Sequence, residues 1–286
     1  MPASAPRAGV LGLGLIGSRV AARVKAAGIP LAVWNRTPRD FSGLPAPCPV
    51  PGDVARVADI LQIFVSDDTA LRETISALIP SLGARHIVVS HATVSPRTVR
   101  ALDAEVRAAG AAFLDAPFTG SRDAAARGQL IYYASGDSDA LERARPVLAA
   151  SSAAILTFGK VGEASTIKIA TNVISAAAAA SLAEAVNLLR AQGIDPRLLV
   201  AALEHNAARS GVTDLKTPCL LQDDFAPRFS ARNMLKDLRL ASDLALPGQR
   251  QLIERMGSLL DEACRRGFAD LDFSVTAKLG APTADP

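Results

Sequence analysis

Short apolar, β-rich runs alternate with helical stretches in the first half of the chain, and this alternation constrains the fold most. The predicted strands cover residues 8–13, 31–35, 60–65, 86–90, 112–115, 130–134 and 153–158. Stretches with helical periodicity lie between several of these strands, at 15–27, 69–82, 96–109 and 139–150. Because alternation at this spacing is typical of parallel βαβ units, the sequence predicts an α/β domain with a doubly wound sheet.

The strand pattern stops after residue 158, and from residue 163 onward the chain is rich in alanine and leucine with helical periodicity. We therefore predict an α/β domain over 1–160 and an all-α domain over 161–286, opened by a long helix from about 163 to 191. The apolar part of this helix, 169–186, contains threonine, asparagine, serine and glutamate. It is therefore predicted to be a buried helix of a soluble protein and not a membrane span.

Composition narrows the class of protein further. The 286 residues are 49% hydrophobic and 21% charged, which is typical of a soluble globular enzyme. A net charge of +3 and an aromatic content of 4% argue against a nucleic-acid partner. The three cysteines form no CxxC pair, the three histidines show no metal-ligand spacing, and no secretory signal is readable. These features predict a cytoplasmic protein without a metal site.

A glycine-rich segment follows the first predicted strand and opens a helix. It reads Gly12, Leu13, Gly14, Leu15, Ile16 and Gly17. In a GxGxxG turn the first glycine allows the tight turn, the second admits a pyrophosphate, and the third lets helix and strand pack closely. The phosphates then lie at the helix N-terminus. The segment predicts a dinucleotide site in a Rossmann domain.

The end of the second predicted strand distinguishes the two nicotinamide dinucleotides. A site for NAD has an Asp or Glu here that accepts the ribose hydroxyls, whereas this chain has Asn35, Arg36 and Thr37. Arg36 can pair with a 2′-phosphate, flanked by two side chains that form hydrogen bonds. The alternative is a surface arginine in an ordinary turn. We favour NADP as the cofactor.

These motifs, together with several later segments, resemble the β-hydroxyacid dehydrogenase family, which includes 3-hydroxyisobutyrate dehydrogenases and glyoxylate/succinic semialdehyde reductases. The matching segments are 12–17, 93–96 (Thr-Val-Ser-Pro), 115–120 (Asp-Ala-Pro-Phe-Thr-Gly), 128–130 (Gly-Gln-Leu), 159–172 and 229–238. The chain departs from the family pattern at Ile16 (usually Met), Phe118 (usually Val), Thr119 (usually Ser) and Ala164 (usually Gly). The departures at Phe118, Thr119 and Ala164 bear on the identity of the substrate and not on the class of chemistry.

The resemblance implies a role for a set of residues in each part of the site. Lys168 and Asn172 correspond to the catalytic residues, and Asn172 also orients the substrate. The other implied substrate-binding residues are Thr119, Gly120, Ser121, Phe229 and Asp237, and the resemblance adds Val65, Thr93 and Lys236 to the cofactor-binding residues. It also implies a homodimer that acts on a small-molecule substrate.

Lys168 has a chemical rationale besides the resemblance. The chain contains only six lysines among its 31 basic residues, so a lysine is the exception in this sequence. Reduction of a carbonyl needs a donor that stabilises the developing alkoxide and gives up a proton, which Lys can do and Arg cannot. Asn172 lies four residues later and shares a helix face with Lys168. We predict that Lys168 is the general acid/base, while the nicotinamide delivers hydride.

The functional hypothesis is an NADPH-dependent oxidoreductase of the CH–OH/carbonyl type. It would act on a small aldehyde, keto acid or β-hydroxy acid, as a 3-hydroxyisobutyrate dehydrogenase or a glyoxylate/succinic semialdehyde reductase does. An imine reductase and a non-catalytic dehydrogenase-like binding module are the alternatives. His91 has two interpretations at this stage: a proton donor at a strand end, or a buried histidine bonded to the backbone.

Overall fold

A computed structural model describes residues 6–37 and 40–280, and the chain forms two compact units. The first unit ends at Lys168 and the second begins at Ile169. Within the described residues the first unit contains eight strands, whereas the second is helical apart from one isolated bridge between Ser230 and Asp272. The predicted fold class, a Rossmann domain followed by a helical domain, is confirmed.

The sheet of the first unit has the strand order β2-β1-β3-β4-β5-β7-β6, and β8 pairs with β7. The strands are β1 Ala8–Leu11, β2 Leu31–Trp34, β3 Ile60–Ile63, β4 Ile87–Ser90, β5 Ala112–Asp115, β6 Phe118–Thr119, β7 Leu130–Gly136 and β8 Ser152–Phe158. Strands β1 to β5 are parallel, with Val10 opposite both Val33 and Gln62.

The sheet departs from the parallel arrangement at β7, which runs antiparallel to both β5 and β6. The prediction of parallel βαβ units was therefore wrong where β7 pairs with β5 and β6, whereas β8 pairs with β7 in parallel; the two-residue strand β6 was not predicted. Strands β5 and β6 pair with β7 in one antiparallel register, and the segment that joins β6 to β7, residues 120–129, is shorter than the dozen or so residues that a parallel crossover needs.

Helices cover both faces of this sheet. The helices of the first unit are α1 Gly17–Ala26, α2 Pro51–Val57, α3 Asp68–Leu78, α4 Pro96–Ala108, α5 Arg122–Arg127 and α6 Ser138–Ala149. Side chains of β3 to β5 alternate between the faces: Leu61 and Val88 pack with α2, α3 and α4, whereas Val89 and Leu114 pack with α1 and α6. Buried strands flanked by helices on both sides are what a doubly wound sheet requires.

The second unit is built on a long helix that starts in the first unit. Its helices are α7 Glu163–Ala191, α8 Leu198–Glu204, α9 Gly211–Gln222, α10 Ala231–Leu244 and α11 Gln251–Ala263, followed by a 3-10 helix at Phe273–Leu279. Val186 of α7 packs in one core cluster with Met234 and Leu238 of α10 and Leu260 of α11. By length and hydropathy alone α7 could cross a membrane, a test that the core helix of a soluble protein also passes.

A buried ion pair holds the segment that leads into α10. Lys216 Nζ lies 2.7 and 2.8 Å from the two carboxylate oxygens of Asp272, and the two side chains are 3% and 0% exposed. Asp272 also accepts the backbone N–H groups of Arg228 and Phe229 at 3.3 and 3.2 Å. Ser230, the next residue, caps α10 by accepting a hydrogen bond from a backbone N–H of its first turn. The pair therefore fixes where α10 begins.

Candidate active site

The glycines of the 12–17 turn are required for different reasons. Gly12 has a φ of +94°, and a Cβ there would overlap the carbonyl oxygen of Phe64. A Cβ at Gly17 would overlap the carbonyl oxygen of Gly12. A Cβ at Gly14 would meet no atom within 4 Å, so the fold itself does not require a glycine at this position. The space beside Gly14 leaves room for a bound molecule to contact the backbone there.

The start of α1 fits an anionic group. No side chain caps this helix, and its first turn contains no acidic residue. Its backbone N–H groups and the positive end of the helix dipole therefore suit a phosphate. Together with the space at Gly14, this arrangement fits the pyrophosphate of a dinucleotide. Within the turn, Leu15 is 61% exposed, Leu13 is buried and Ile16 is half-buried.

Asn35 has a role that the sequence did not show. Its Oδ1 accepts the backbone N–H of Leu13 at 2.8 Å, and its Nδ2 donates to the carbonyl of Thr37 at 2.7 Å. Asn35 thus ties the end of β2 to the glycine-rich turn, and both of its polar atoms have protein partners. Arg36 and Thr37 are exposed. No carboxylate stands at 35–37.

Val65 and Thr93 come shortly after β3 and β4, at the carboxyl ends of neighbouring parallel strands. Ligands of doubly wound folds bind at this edge of the sheet. Both residues are half-buried, and Val65 packs against the core on the α2–α4 face.

The predicted substrate residues 119–121 lie where the chain leaves β6. Thr119, half-buried, pairs with Ile131 of β7. Gly120 has a φ of +134°, a conformation that favours glycine. The hydroxyl of Ser121 accepts the N–H of Ala124 at 3.2 Å and caps α5, so Ser121 has a structural partner besides its predicted substrate role.

Asp115 is the residue that sequence reasoning missed. It is the last residue of β5 and fully buried, and its carboxylate accepts the backbone N–H groups of Gly162 and Ser165 at 3.1 and 3.0 Å. The hydroxyl of Ser165 donates to it at 2.7 Å, and the hydroxyl of Ser135 does so at 3.4 Å. Burial raises the pKa of Asp115, and these hydrogen bonds oppose that change. Lys168 lies three residues beyond Ser165 and is half-buried.

The carboxylate of Asp115 therefore sits at the N-terminus of α7, where unpaired N–H groups and the helix dipole favour a negative charge. The same residue directly precedes the segment 116–120. One buried side chain thus anchors both the helix that carries Lys168 and the turn that carries Thr119. Its position in the 115–120 motif was the only signal in the sequence.

In the second unit, Asn172 and Asp237 form a buried pair. Asn172 Nδ2 donates to Asp237 Oδ2 at 2.6 Å, and Lys236 Nζ donates to Asp237 Oδ1 at 2.6 Å. Asn172 and Asp237 are 6% and 1% exposed. Both carboxylate oxygens of Asp237 thus have partners within the unit, an arrangement that orients the amide of Asn172. Phe229 is half-buried and packs edge-on against Phe273, with ring centroids 6.2 Å apart.

Two family models match the chain in succession. Residues 7–159 match the NAD binding domain of 6-phosphogluconate dehydrogenase, and residues 162–279 match the NAD-binding domain of NADP-dependent 3-hydroxyisobutyrate dehydrogenase. The chain belongs to the β-hydroxyacid dehydrogenase family of NAD(P)-dependent oxidoreductases. The family predicted from the motifs is confirmed.

Relatives match along nearly the whole chain. Glyoxylate/succinic semialdehyde reductase 2 of Arabidopsis thaliana is 30% identical over 93% of this chain and 77% of its own length. Mitochondrial 3-hydroxyisobutyrate dehydrogenase of Homo sapiens is 28% identical over 95% and 86%. The solved structure of Psf3 in complex with NADP+ and 2-OPP has a TM-score of 0.88 at 23% identity, covering 96% of this chain and all of that one.

Proposed function

We propose that this protein is an NADPH-dependent reductase of small aldehyde or keto acids, reversible as a β-hydroxyacid dehydrogenase, with Lys168 as the general acid/base. The observation that carries the proposal is the position of Asp115, whose carboxylate ties the start of α7 to the end of β5. It supports Lys168 and Thr119 as parts of one site. The bound nicotinamide supplies the hydride.

Lys168 would polarise the carbonyl oxygen of the substrate and protonate it as the alkoxide forms. An ammonium group can stabilise this negative charge and then release its proton, and a guanidinium can do only the first. Asn172 would hold the same oxygen by a hydrogen bond, and its amide is itself oriented by Asp237. The hydroxyl of Thr119 and the N–H of Gly120 would bind the carboxylate of the substrate.

The assay of this role compares Lys168→Ala and Lys168→Arg with a control, Lys160→Ala. Lys160 is exposed and lies eight residues earlier in the chain. We expect both Lys168 variants to lose about 100- to 10,000-fold in kcat, the usual contribution of a general acid. They should bind NADPH as the wild type does in a fluorescence titration, and Lys160→Ala should have wild-type kcat. Unchanged turnover in Lys168→Ala would refute the assigned role.

The preference for NADPH is proposed on the basis of Arg36. It is exposed at the end of β2 beside Asn35, whose polar atoms are engaged by the protein, and no carboxylate at 35–37 would repel a phosphate. A charge-assisted hydrogen bond is worth about 1.5–3 kcal/mol, so Arg36→Ala should raise the KM for NADPH about 10- to 150-fold.

The KM for NADH should stay unchanged in Arg36→Ala, because NADH lacks the 2′-phosphate. The matched control is Arg107→Ala, which removes an exposed arginine from the end of α4. Equal use of NADH and NADPH by the wild type would exclude the proposed preference.

A panel of substrates tests the reaction. Glyoxylate, succinic semialdehyde and a cyclic imine are tested for reduction with NADPH, and 3-hydroxyisobutyrate is tested for oxidation with NADP+; the absorbance of NADPH is followed in each case. The proposal predicts turnover of one or more of the three acids and none of the imine. Turnover of the imine alone would favour the imine reductase alternative, and NADPH binding without any turnover would favour a non-catalytic binding module.

We also propose a homodimer, with a second copy of the chain covering the apolar side chains that α7 exposes. Ile174 and Leu188 are 68% and 63% exposed. Light scattering should give twice the mass of one chain, and Ile174→Glu with Leu188→Glu should shift it toward the monomer. Leu156→Glu, at a 45% exposed position on β8, is the control. A monomeric wild type would contradict the proposal.

A cytoplasmic location is proposed as well. It is supported by the three cysteines, all of which are free thiols, as in proteins of reducing compartments. Cell fractionation with an antibody tests it, and recovery of the protein in the membrane fraction would contradict it.

A further inference from the structure

A cluster of aromatic rings surrounds His91 near the carboxyl ends of the central strands. His91, directly after β4, is 2% exposed. Its ring stacks on Phe64 with centroids 4.3 Å apart at 18°, and Tyr132 lies on it with centroids 4.7 Å apart. Phe64 also approaches Phe118, at 6.1 Å. The imidazole is therefore enclosed by aromatic rings.

The hydrogen bonds of His91 decide which of its two ring nitrogens carries the proton. Nδ1 lies 2.7 Å from the carbonyl oxygen of Ala116, and Nε2 lies 3.1 Å from Oε1 of Gln62. Two acceptors would require two N–H groups, but burial lowers the pKa of His91 to about 3, so the ring is neutral and has one.

The amide of Gln62 resolves this conflict. Its Nε2 is buried without a hydrogen-bond partner in the orientation that points Oε1 at His91. Exchanging the amide nitrogen and oxygen, which have almost the same shape, lets Nε2 donate to Nε2 of His91. His91 then donates through Nδ1–H to the carbonyl of Ala116. This is the one arrangement in which a neutral ring satisfies both contacts.

Ala116 begins the turn that leads to the predicted substrate residues. Its N–H donates to the carbonyl of Ser90 at 2.8 Å, and the carbonyl of Pro117 accepts the N–H of Tyr133 at 2.8 Å. The side chain of His91 therefore adds the bond that fixes the Ala116 carbonyl, three residues before Thr119. On its other side His91 contacts Phe64, whose carbonyl faces Gly12 of the glycine-rich turn.

We propose that His91 is a positioning residue: its Nδ1–H holds the carbonyl of Ala116 and thereby sets the 116–120 turn, and it exchanges no proton with the substrate. Among the side chains that contact the ring, Tyr132 is titratable, and burial raises its pKa while its hydroxyl is bonded to Ser151. The consequence for catalysis depends on the proposed function, since it assumes that Thr119 and Gly120 bind the substrate carboxylate.

Two substitutions separate the hydrogen bond from the ring. His91→Asn places an amide nitrogen near the position of Nδ1 and keeps the donor, whereas His91→Phe keeps a ring between Phe64 and Tyr132 and loses the donor. His86→Asn is the control, because His86 is also buried, at 3%, and bonds to the backbone of Gly83 and Ala55 elsewhere in the unit.

The substrate for this test is the acid of the substrate panel that the wild type turns over fastest. We expect His91→Phe to raise the KM for this acid about 5- to 50-fold, since a buried carbonyl is left without its donor. In His91→Phe the dissociation constant of NADPH should change by no more than about twofold. The KM of His91→Asn should stay within about threefold of the wild-type value. Both changes are smaller than the loss of one hydrogen bond would cause. His86→Asn should leave KM unchanged. A proton donor would instead show an equal loss of kcat in both His91 variants, and a purely structural residue would lower thermal stability without moving KM.

Two readouts do not need turnover, so they distinguish a failure of this inference from a failure of the proposed function. Long-range proton–nitrogen NMR of the wild type should show His91 as the Nδ1–H tautomer, unchanged from about pH 5 to pH 8, because its pKa lies far below this range. Hydrogen exchange of the peptide spanning 114–121 should accelerate about tenfold in His91→Phe, as expected when one buried hydrogen bond is lost, and not in His91→Asn. An Nε2–H tautomer, a titration near pH 6.5, or equal exchange in the two variants would overturn the proposal.

Discussion

The buried pair of Lys216 and Asp272 offers a quantitative test of the second unit. In Lys216→Met the stem of the side chain remains, but Asp272, fully buried, loses its cation. Removing one partner of a buried pair costs about 3–5 kcal/mol, because an uncompensated charge stays in the interior. With a shift of roughly 3–4 °C per kcal/mol for a unit of this size, the midpoint of thermal unfolding should fall by roughly 10–20 °C.

The contribution of Asp272 to the pH dependence of stability should also change sign in Lys216→Met. In the wild type, burial raises the pKa of Asp272, but Lys216 and the hydrogen bonds from Lys216 and Ser274 outweigh it, so the pKa lies below its ordinary value of 3.8. This lowered pKa contributes stability above about pH 3.8, and the contribution is lost as the pH falls through the pKa of the folded state. Without Lys216 burial prevails and the pKa of Asp272 rises, so Lys216→Met should become more stable relative to the wild type as the pH falls from 7 toward 4.

Circular dichroism melts at a series of pH values measure both effects. Adding Asp272→Asn to Lys216→Met removes the stranded charge and should recover about 1–4 kcal/mol. The control is Lys278→Met, which breaks an exposed pair with Asp223 at 2.8 Å and should cost less than about 1 kcal/mol. If Lys216→Met melts within about 3 °C of the wild type, which corresponds to about 1 kcal/mol or less, or keeps the pH dependence of the wild type, the assignment of a charged buried pair is refuted.

Three further predictions concern the first unit. Asp115→Asn places a donor against N–H groups at the start of α7, so it should lower the free energy of unfolding by about 1–3 kcal/mol in denaturant titrations. It should also reduce kcat. Wild-type values of both quantities would exclude the anchoring role of Asp115. Gly12→Ala, whose Cβ would overlap the carbonyl of Phe64, should abolish NADPH binding measured by fluorescence; retained affinity would contradict the tight turn. Tyr132→Phe removes the buried 2.8 Å bond to Ser151 and should cost about 1 kcal/mol in the same titrations; an unchanged free energy of unfolding would contradict a stabilising role of this bond.

The sequence by itself determined the order of elements, since strand and helix periodicity are local properties of the chain. Strands β1 to β5 and α7 lie close to their predicted positions, and the glycine-rich turn lies where the motif places it. The helix α2 escaped prediction because its seven residues make only about two helical turns, and β6 escaped because two residues show no alternation. The direction of β7 also escaped, because pairing partners depend on how the chain turns between strands.

Only the tertiary structure decided what each polar side chain contacts. Asp115 bonds to residues 47 and 50 positions away, and Lys216 pairs across 56 positions, so no local pattern reveals either contact. Asn35 stands in the cofactor motif yet holds the glycine-rich turn, and His91 is neutral because neighbouring rings exclude water. The sequence determines which functional groups are available, but their charge and orientation depend on burial and partners that exist only in the folded chain.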